Sequence, residues 1–309
     1  MRYLFSTHPD SPAPAPAVAR PAAAPTRVGR FAETPAVPAV RRIYRVLCQL
    51  APAAAAHLAY RQLATPPRAA MGRWHAALRP KTRTRRVSCG AGELEVYEWG
   101  QGPTVLLVHG WGSNATHMGR MVQPLLLAGF RVVAFDAPAH GRSSGRTTDM
   151  VEFASAVATV ARQVGPLHAV IGHSFGAAMA LFAARDWGLD TTRFVLISSF
   201  SHCSWFVDLF ARHVGLTPAV HERVRDMFVL RHGGRFDWSR MSVVEMARQA
   251  RLPSLLVHDE TDAEIPFEHG LALAAALPGA QFKATRGLGH HRVLRNTEVI
   301  RRVMTFVSN

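Results

Sequence analysis

Ala169-Val170-Ile171 runs directly into Gly172-His173-Ser174-Phe175-Gly176. The second stretch has the form G-x-S-x-G: a strand ends in a sharp turn, the turn presents a serine, and a helix follows. The serine backbone is strained in such a turn. A Cβ on either flanking residue would crowd the strand or the helix, so both flanks are glycine. The turn pushes the hydroxyl out at the C-terminal edge of a sheet. It also aims the N–H groups of a helix N-terminus at whatever the serine attacks. Ser174 is therefore the candidate nucleophile, and the neighbouring strands test that reading.

Upstream, Thr104-Val105-Leu106-Leu107-Val108 reads as a buried strand that ends in His109-Gly110-Trp111-Gly112. A glycine-rich turn at this strand end can aim a backbone N–H into the same pocket. The N–H groups of Trp111 and Phe175 are the candidate oxyanion hole. His109 is read as supporting the turn. A further strand, Arg131–Phe135, leads into the loop from Asp136 to Ser143. Asp136 is read as tying that loop down through backbone N–H groups.

Downstream, Ser254–His258 is another strand, and the acids Asp259, Glu260, Asp262 and Glu264 follow it. One buried carboxylate is needed to hold a histidine in the correct tautomer. Asp262, three residues before Ile265-Pro266, is favoured, with Asp259 second. The last strand, Gln281–Thr285, precedes Gly287-Leu288-Gly289-His290-His291. Glycines on this approach let the loop fold back and bring an imidazole to the serine. His290 is the candidate general base and His291 its competitor. The chain order Ser174, Asp262, His290 differs from the orders found in chymotrypsin and subtilisin.

On these motifs, residues from about 86 to 309 resemble the α/β-hydrolases of the serine-esterase kind. The His-Gly-Trp-Gly turn is similar to that of the pimeloyl-ester carboxylesterases. The resemblance implies an α/β-hydrolase fold: a mostly parallel sheet, helices on both faces and a helical cap between strands 6 and 7. The family often has glycine where Ala139 and Ala177 stand; both replacements are small. Relatives that cleave haloalkanes or epoxides carry aspartate at the elbow, so Ser174 points to acyl carbonyls instead.

The regular alternation of strands near 104, 131, 168, 193 and 253 with helical segments predicts the same layered architecture. Over fifty residues separate Phe194-Val195-Leu196-Ile197 from the strand at 254. The segment at about 201–240 is read as the cap. Its Trp205, Phe206 and Phe210 are the candidate substrate-binding residues, lining an apolar acyl pocket.

The chain of 309 residues carries a net charge of +15, but the charge is unevenly placed. Residues 1–90 hold fifteen Lys/Arg against two acids, while the remainder is nearly balanced. Residues 1–39 are Pro/Ala-rich with little to bury, which predicts disorder. Residues 40–85 form a basic helical arm and connector. In it Ile43, Val46, Leu47 and Leu50 recur at helical spacing between arginines. This apolar stripe is expected to pack on the catalytic domain, residues 86–309. A weak contact with an anionic membrane surface is the other reading of the arm. No aromatic stacking series or motif accompanies the charge, so no nucleic-acid partner is expected.

Cys48, Cys89 and Cys203 form neither a disulfide framework nor a metal-like spacing. With no long apolar run and no apolar signal core, a cytoplasmic protein is expected. The expected activity is hydrolysis of a small or medium acyl ester, with no metal or organic cofactor. A perhydrolase using the same triad, and a ligand- or partner-binding protein on the same scaffold, are the rival readings.

Overall fold

In the computed structural model, which describes residues 37–72, 82–233 and 238–309, the apolar runs pair into one sheet. Its strands are β1 (Arg83–Cys89), β2 (Gly92–Trp99), β3 (Thr104–Val108), β4 (Arg131–Phe135), β5 (Leu167–His173), β6 (Phe194–Ile197), β7 (Ser254–Asp259) and β8 (Gln281–Thr285). Among the described residues they lie in the order β1-β2-β4-β3-β5-β6-β7-β8. The pairs β1–β2 and β2–β4 are antiparallel, and the others are parallel. This is the α/β arrangement that the alternation predicts.

Why the central strands are apolar throughout is visible in their side chains. Leu106 and Val108 of β3, Val133 of β4 and Leu196 of β6 enter one core. Their neighbours Val105, Leu107, Val132 and Val195 enter a second core on the opposite face. Successive strand residues point to opposite sides, so a sheet covered on both faces needs apolar residues at every position. Helices α4 (Met150–Val164) and α5 (Phe175–Trp187) close the first face. The turn Ala115–Met121, α3 (Val122–Leu127) and the C-terminal helix Thr297–Ser308 close the second.

The chain leaves β3 toward β4 on one side and comes back to β5 on the other. The C-terminal ends of β3 and β5 therefore form a topological switch point, where a crevice opens above a parallel sheet. His109–Gly112 follows one of these ends and Ser174 the other.

Between β6 and β7 the insertion supplies α6 (Cys203–Val214) and α7 (Pro218–Arg231), then a short turn at Trp238–Met241 and α8 (Val243–Gln249). Residues 234–237 lie outside the described residues. Among the described residues no helix is long and apolar enough to cross a membrane.

The arm differs in detail from the sequence reading. Of the segment expected to be disordered, residues 1–36 lie outside the described residues, and Val37 already begins α1 (Val37–Leu50). Pro52 opens α2 (Pro52–Ala64), where a missing N–H costs nothing. The connector partly falls within residues 73–81, also outside the described residues, and β1 starts at Arg83.

The expected apolar stripe does not pack as a unit. Ile43, Val46 and Leu50 are exposed at 52%, 47% and 80%. The buried side of α1 is instead Tyr44 and Cys48, flanked by Val40 and Leu47. Helix α1 carries two adjacent apolar strips, and the strip with the aromatic ring goes inward. Its hydroxyl finds a partner there, donating to Gln62 Oε1 at 2.7 Å.

Helix α2 lies on α7, with Tyr60 and Phe228 ring centroids 4.7 Å apart, and buries Ala55, Ala56, Ala59 and Leu63. Removing residues 1–64 uncovers this surface. The shortened protein is expected to melt about 10 °C lower and to lose solubility; thermal unfolding followed by circular dichroism checks this.

Candidate active site

Ser174 sits at φ 55°, ψ −122°, between β5 and α5. That backbone lies at positive φ, where a non-glycine residue costs about 1–3 kcal/mol. The surroundings enforce it. The Ser174 N–H donates to Ile197 O of β6 at 2.8 Å. A Cβ on Gly172 would lie 2.5 Å from the Cα of Ala177, and one on Gly176 would meet the carbonyl oxygens of Val108 and His109. The helix thus leaves the strand so closely that only glycine fits on either side of the serine.

The end of β3 lies beside this turn. A Cβ on Gly110 would be 3.1 Å from Ser174 Cβ. Trp111 follows directly, and Phe175 is the first residue of α5, where backbone N–H groups lack intrahelical acceptors. Their rings meet at 5.1 Å.

Two buried histidines fasten the loop after β3 to the loop after β4. Ala137 N–H donates to His109 Nε2 at 3.0 Å, while His109 Nδ1 donates to Gly110 O at 2.8 Å. Gly112 N–H donates to His140 Nε2 at 2.9 Å, and His140 Nδ1 donates to Pro138 O at 2.8 Å. Each ring therefore gives one proton and takes one, as a neutral imidazole does. Burial lowers the His109 pKa, which keeps it in that form. Asp136 accepts from Ala115 N–H, Arg142 N–H and the Tyr97 hydroxyl, at 2.8–3.0 Å. It ties down both loops, not only its own.

His290 lies in the short helix Gly289–Arg292 after β8, and its Nδ1 is 2.8 Å from Asp262 Oδ2. The other carboxylate oxygen of Asp262 accepts from the N–H groups of Glu264 and Ile265 at 2.8 and 2.9 Å. The Asp262 side chain is fully buried. Burial raises its pKa, but the His290 hydrogen bond and charge and these two N–H groups outweigh burial and hold it below the ordinary value. It is ionised at neutral pH and locks the imidazole with Nδ1 protonated.

The competing residues are held by other partners. Asp259 receives Thr261, Thr285 and the Leu288 N–H, and so staples the loop that leads to His290. His291 is half exposed and pairs with Glu264 at 2.8 Å.

His173, the variable residue of the elbow, has a role that the motif does not predict. Its Nε2 donates to the carbonyl oxygen of His290 at 2.9 Å. Burial, and then repulsion by His290, push its pKa well down, so it stays neutral. The elbow itself thereby anchors the loop that carries His290.

Ser174, His290, Trp111 and Phe175 line one cavity of about 450 Å³. Trp205, Phe206 and Phe210 of α6 line it too, joined by Phe200 and Leu209. Phe206 meets the Trp111 and Phe175 rings at 5.5 and 5.6 Å. The lining also has a polar part: His291 and Glu264, which the sequence offered as rivals for the triad, and His117, Arg292 and Arg295, which the sequence reading missed. That reading also missed Gln62, Leu63, Thr65 and Pro67 from the arm. No sequence pattern marks either set, since they reach the cavity only through tertiary packing. Among the described residues no group of His, Cys, Asp and Glu could hold a metal ion.

A sequence profile described as the alpha/beta hydrolase family matches residues 105–302. A non-heme haloperoxidase of Rhodococcus erythropolis is 32% identical over 111 residues, which is 35% of this chain and 40% of that one. A bifunctional esterase/perhydrolase of Acinetobacter calcoaceticus is 35% identical over 108 residues, 33% of this chain and 39% of that one. The chain thus matches about two fifths of the length of these curated relatives. An esterase of Pyrococcus furiosus shares the fold with a TM-score of 0.61, at 21% identity over 79% of this chain and 98% of that one.

Beneath the cap, the Ser201 hydroxyl and N–H both point at His269 Nδ1, at 2.7 and 3.2 Å, and the ring meets Trp205 at 4.9 Å. Burial, then the nearby His258 and His202, lower the His269 pKa to about 4. The unfolded chain takes up this proton near the ordinary histidine value of about 6.5. The stability linked to His269 is therefore complete above that value and is lost as the pH falls toward 4. Urea unfolding between pH 7 and 4 should show this decline, and His269→Gln should make it shallower.

Proposed function

Since the chain belongs to the alpha/beta hydrolase family, we propose that it is a serine hydrolase that cleaves a small or medium acyl ester through an acyl-enzyme. One observation carries the reading: the His290 Nδ1 bond to buried Asp262 at 2.8 Å, in a cavity shared with Ser174 on its strained elbow. His290 Nε2 takes the Ser174 proton as Oγ bonds to the substrate carbonyl carbon. The N–H groups of Trp111 and Phe175 receive the oxyanion. The tetrahedral intermediate collapses, the ester C–O bond breaks, and His290 returns the proton to the leaving alcohol. Water then attacks the acyl-enzyme by the same route and frees the acid and Ser174. Asp262 stays ionised throughout and stabilises the imidazolium.

A perhydrolase reading draws on the two relatives named above. In it, hydrogen peroxide replaces water in the second half-reaction, and a peracid leaves. Peracid formation from acetate and peroxide, measured beside ester hydrolysis, separates the two. A binding protein without catalysis would fail to react with a fluorophosphonate at all.

Ser174→Ala is expected to lower kcat on p-nitrophenyl esters on the order of a millionfold, and Asp262→Asn by about ten-thousandfold. The Asp262→Asn/His290→Ala double variant should be little worse than the stronger single one, because the residues act as one unit. Near-normal turnover by folded Ser174→Ala protein would remove the assignment.

The aromatic cap supports uncharged acyl chains. kcat/KM should rise with chain length, each methylene that enters contributing about 0.8 kcal/mol, until the cavity is full. Comparing p-nitrophenyl acetate through decanoate checks this. A flat profile, or a preference for dicarboxylic half-esters, would count against it.

A further inference from the structure

We infer that the N-terminal arm is a wall of the acyl pocket, and that Leu63 and Thr65 set the size of molecule it accepts. As a statement about selectivity this rests on the Ser174 reading; as a statement about the cavity it does not. Gln62, Leu63, Thr65 and Pro67 line the cavity together with Ser174 and the cap aromatics. All four lie upstream of the family-matched residues 105–302.

The wall is pinned on both sides. Before it, α2 rests on α7 through Tyr60 and Phe228, and Gln62 Oε1 accepts the Tyr44 hydroxyl. Within it, Ala64 O accepts the Thr148 N–H at 2.8 Å. After it, the chain is strapped across the loops that frame the serine. Arg68 donates to the carbonyl oxygens of Gly141, Ser143 and Gly145, at 3.4, 3.3 and 2.8 Å. Asn114 Nδ2 donates to Ala69 O and Ala70 O at 3.0 and 3.3 Å, and Gly72 N–H donates to Thr116 Oγ1 at 2.7 Å.

A flexible wall yields to a long ligand by moving outward. A wall fastened to α7, to the β4 loop and to the loop that carries Trp111 does not, because moving it breaks several hydrogen bonds together. Its side chains then decide the available length. Leu63 is buried at the cavity surface, with its body in the main core, and Thr65 is exposed at the same surface. Shortening Leu63 should deepen the cavity, whereas enlarging Thr65 should narrow it.

The test measures binding of straight-chain alcohols, butanol through dodecanol, to the full chain by calorimetry, and in parallel the rate of inactivation by a fluorophosphonate. For wild type, affinity should rise about fourfold per methylene to a maximum and then fall. Leu63→Ala should move the maximum to longer alcohols, and Thr65→Trp to shorter ones. The Thr65 substitution is at an exposed position, so it keeps the test decisive if Leu63→Ala does not fold. An unchanged profile in Thr65→Trp, or no binding of any alcohol to wild type, overturns the proposal. If the maxima move as stated and the fluorophosphonate leaves Ser174 unlabelled, the wall stands and the nucleophile reading falls.

Discussion

The geometry of the site depends on one steric constraint, the closeness with which α5 leaves β5. Gly172 lies against the backbone of Ala177, and Gly176 against the carbonyl oxygens that end β3. This proximity holds Ser174 at positive φ and brings the β3 end, with Gly110, beside it. A looser crossing would relieve the strain and also separate the serine from the loop that carries Trp111. The strain is tolerated because the sheet and helix on either side determine the path of the chain. Ala139 shows the same principle on a smaller scale. It stands at φ 64°, in a loop that Asp136 and His140 already fix.

Charge is arranged around that constraint with economy. Three buried histidines near the sheet edge, His109, His173 and His258, and the partly buried His269 are all held on the neutral side by the loss of water around them. They act as fixed hydrogen-bonding blocks between loops. The one carboxylate fully buried against His290 is ionised, because two backbone N–H groups and the imidazole compensate for its lost water.

Much of this was legible in the sequence, for definite physical reasons. The strands stand out because a sheet buried on both faces needs continuous apolar runs, and Val105–Val108 and Leu255–Val257 are such runs. Ser174, Asp262 and His290 could be chosen because each follows a strand end, where a parallel sheet collects its functional groups. Asp136 was readable as a loop tie, but its bond to Ala115 was not, since that partner lies on another loop. The arm was read least well. Helical periodicity reports that α1 has an apolar side, yet two apolar strips share it. Only the shape and polarity of the receiving surface choose Tyr44 and Cys48 over Ile43 and Leu50. The cavity wall at Leu63 was invisible for the same reason: contact across more than a hundred residues leaves no local pattern.

The arm's contacts also fix an order of events during synthesis on the ribosome. Residues 52–72 emerge early, yet their partners are Asn114 and Thr116, then Gly141–Gly145, then Phe228. Until α7 has emerged, Tyr60 and Leu63 have no complete surface to cover them. Such distant pairings close late, because the entropy of a long loop must be overcome before the contact forms. The nascent chain therefore carries α2 without its partner helix until α7 is made, beside Ile43, Val46 and Leu50, which are exposed in the folded structure. Arg41, Arg42 and Arg45 break up that apolar surface along α1.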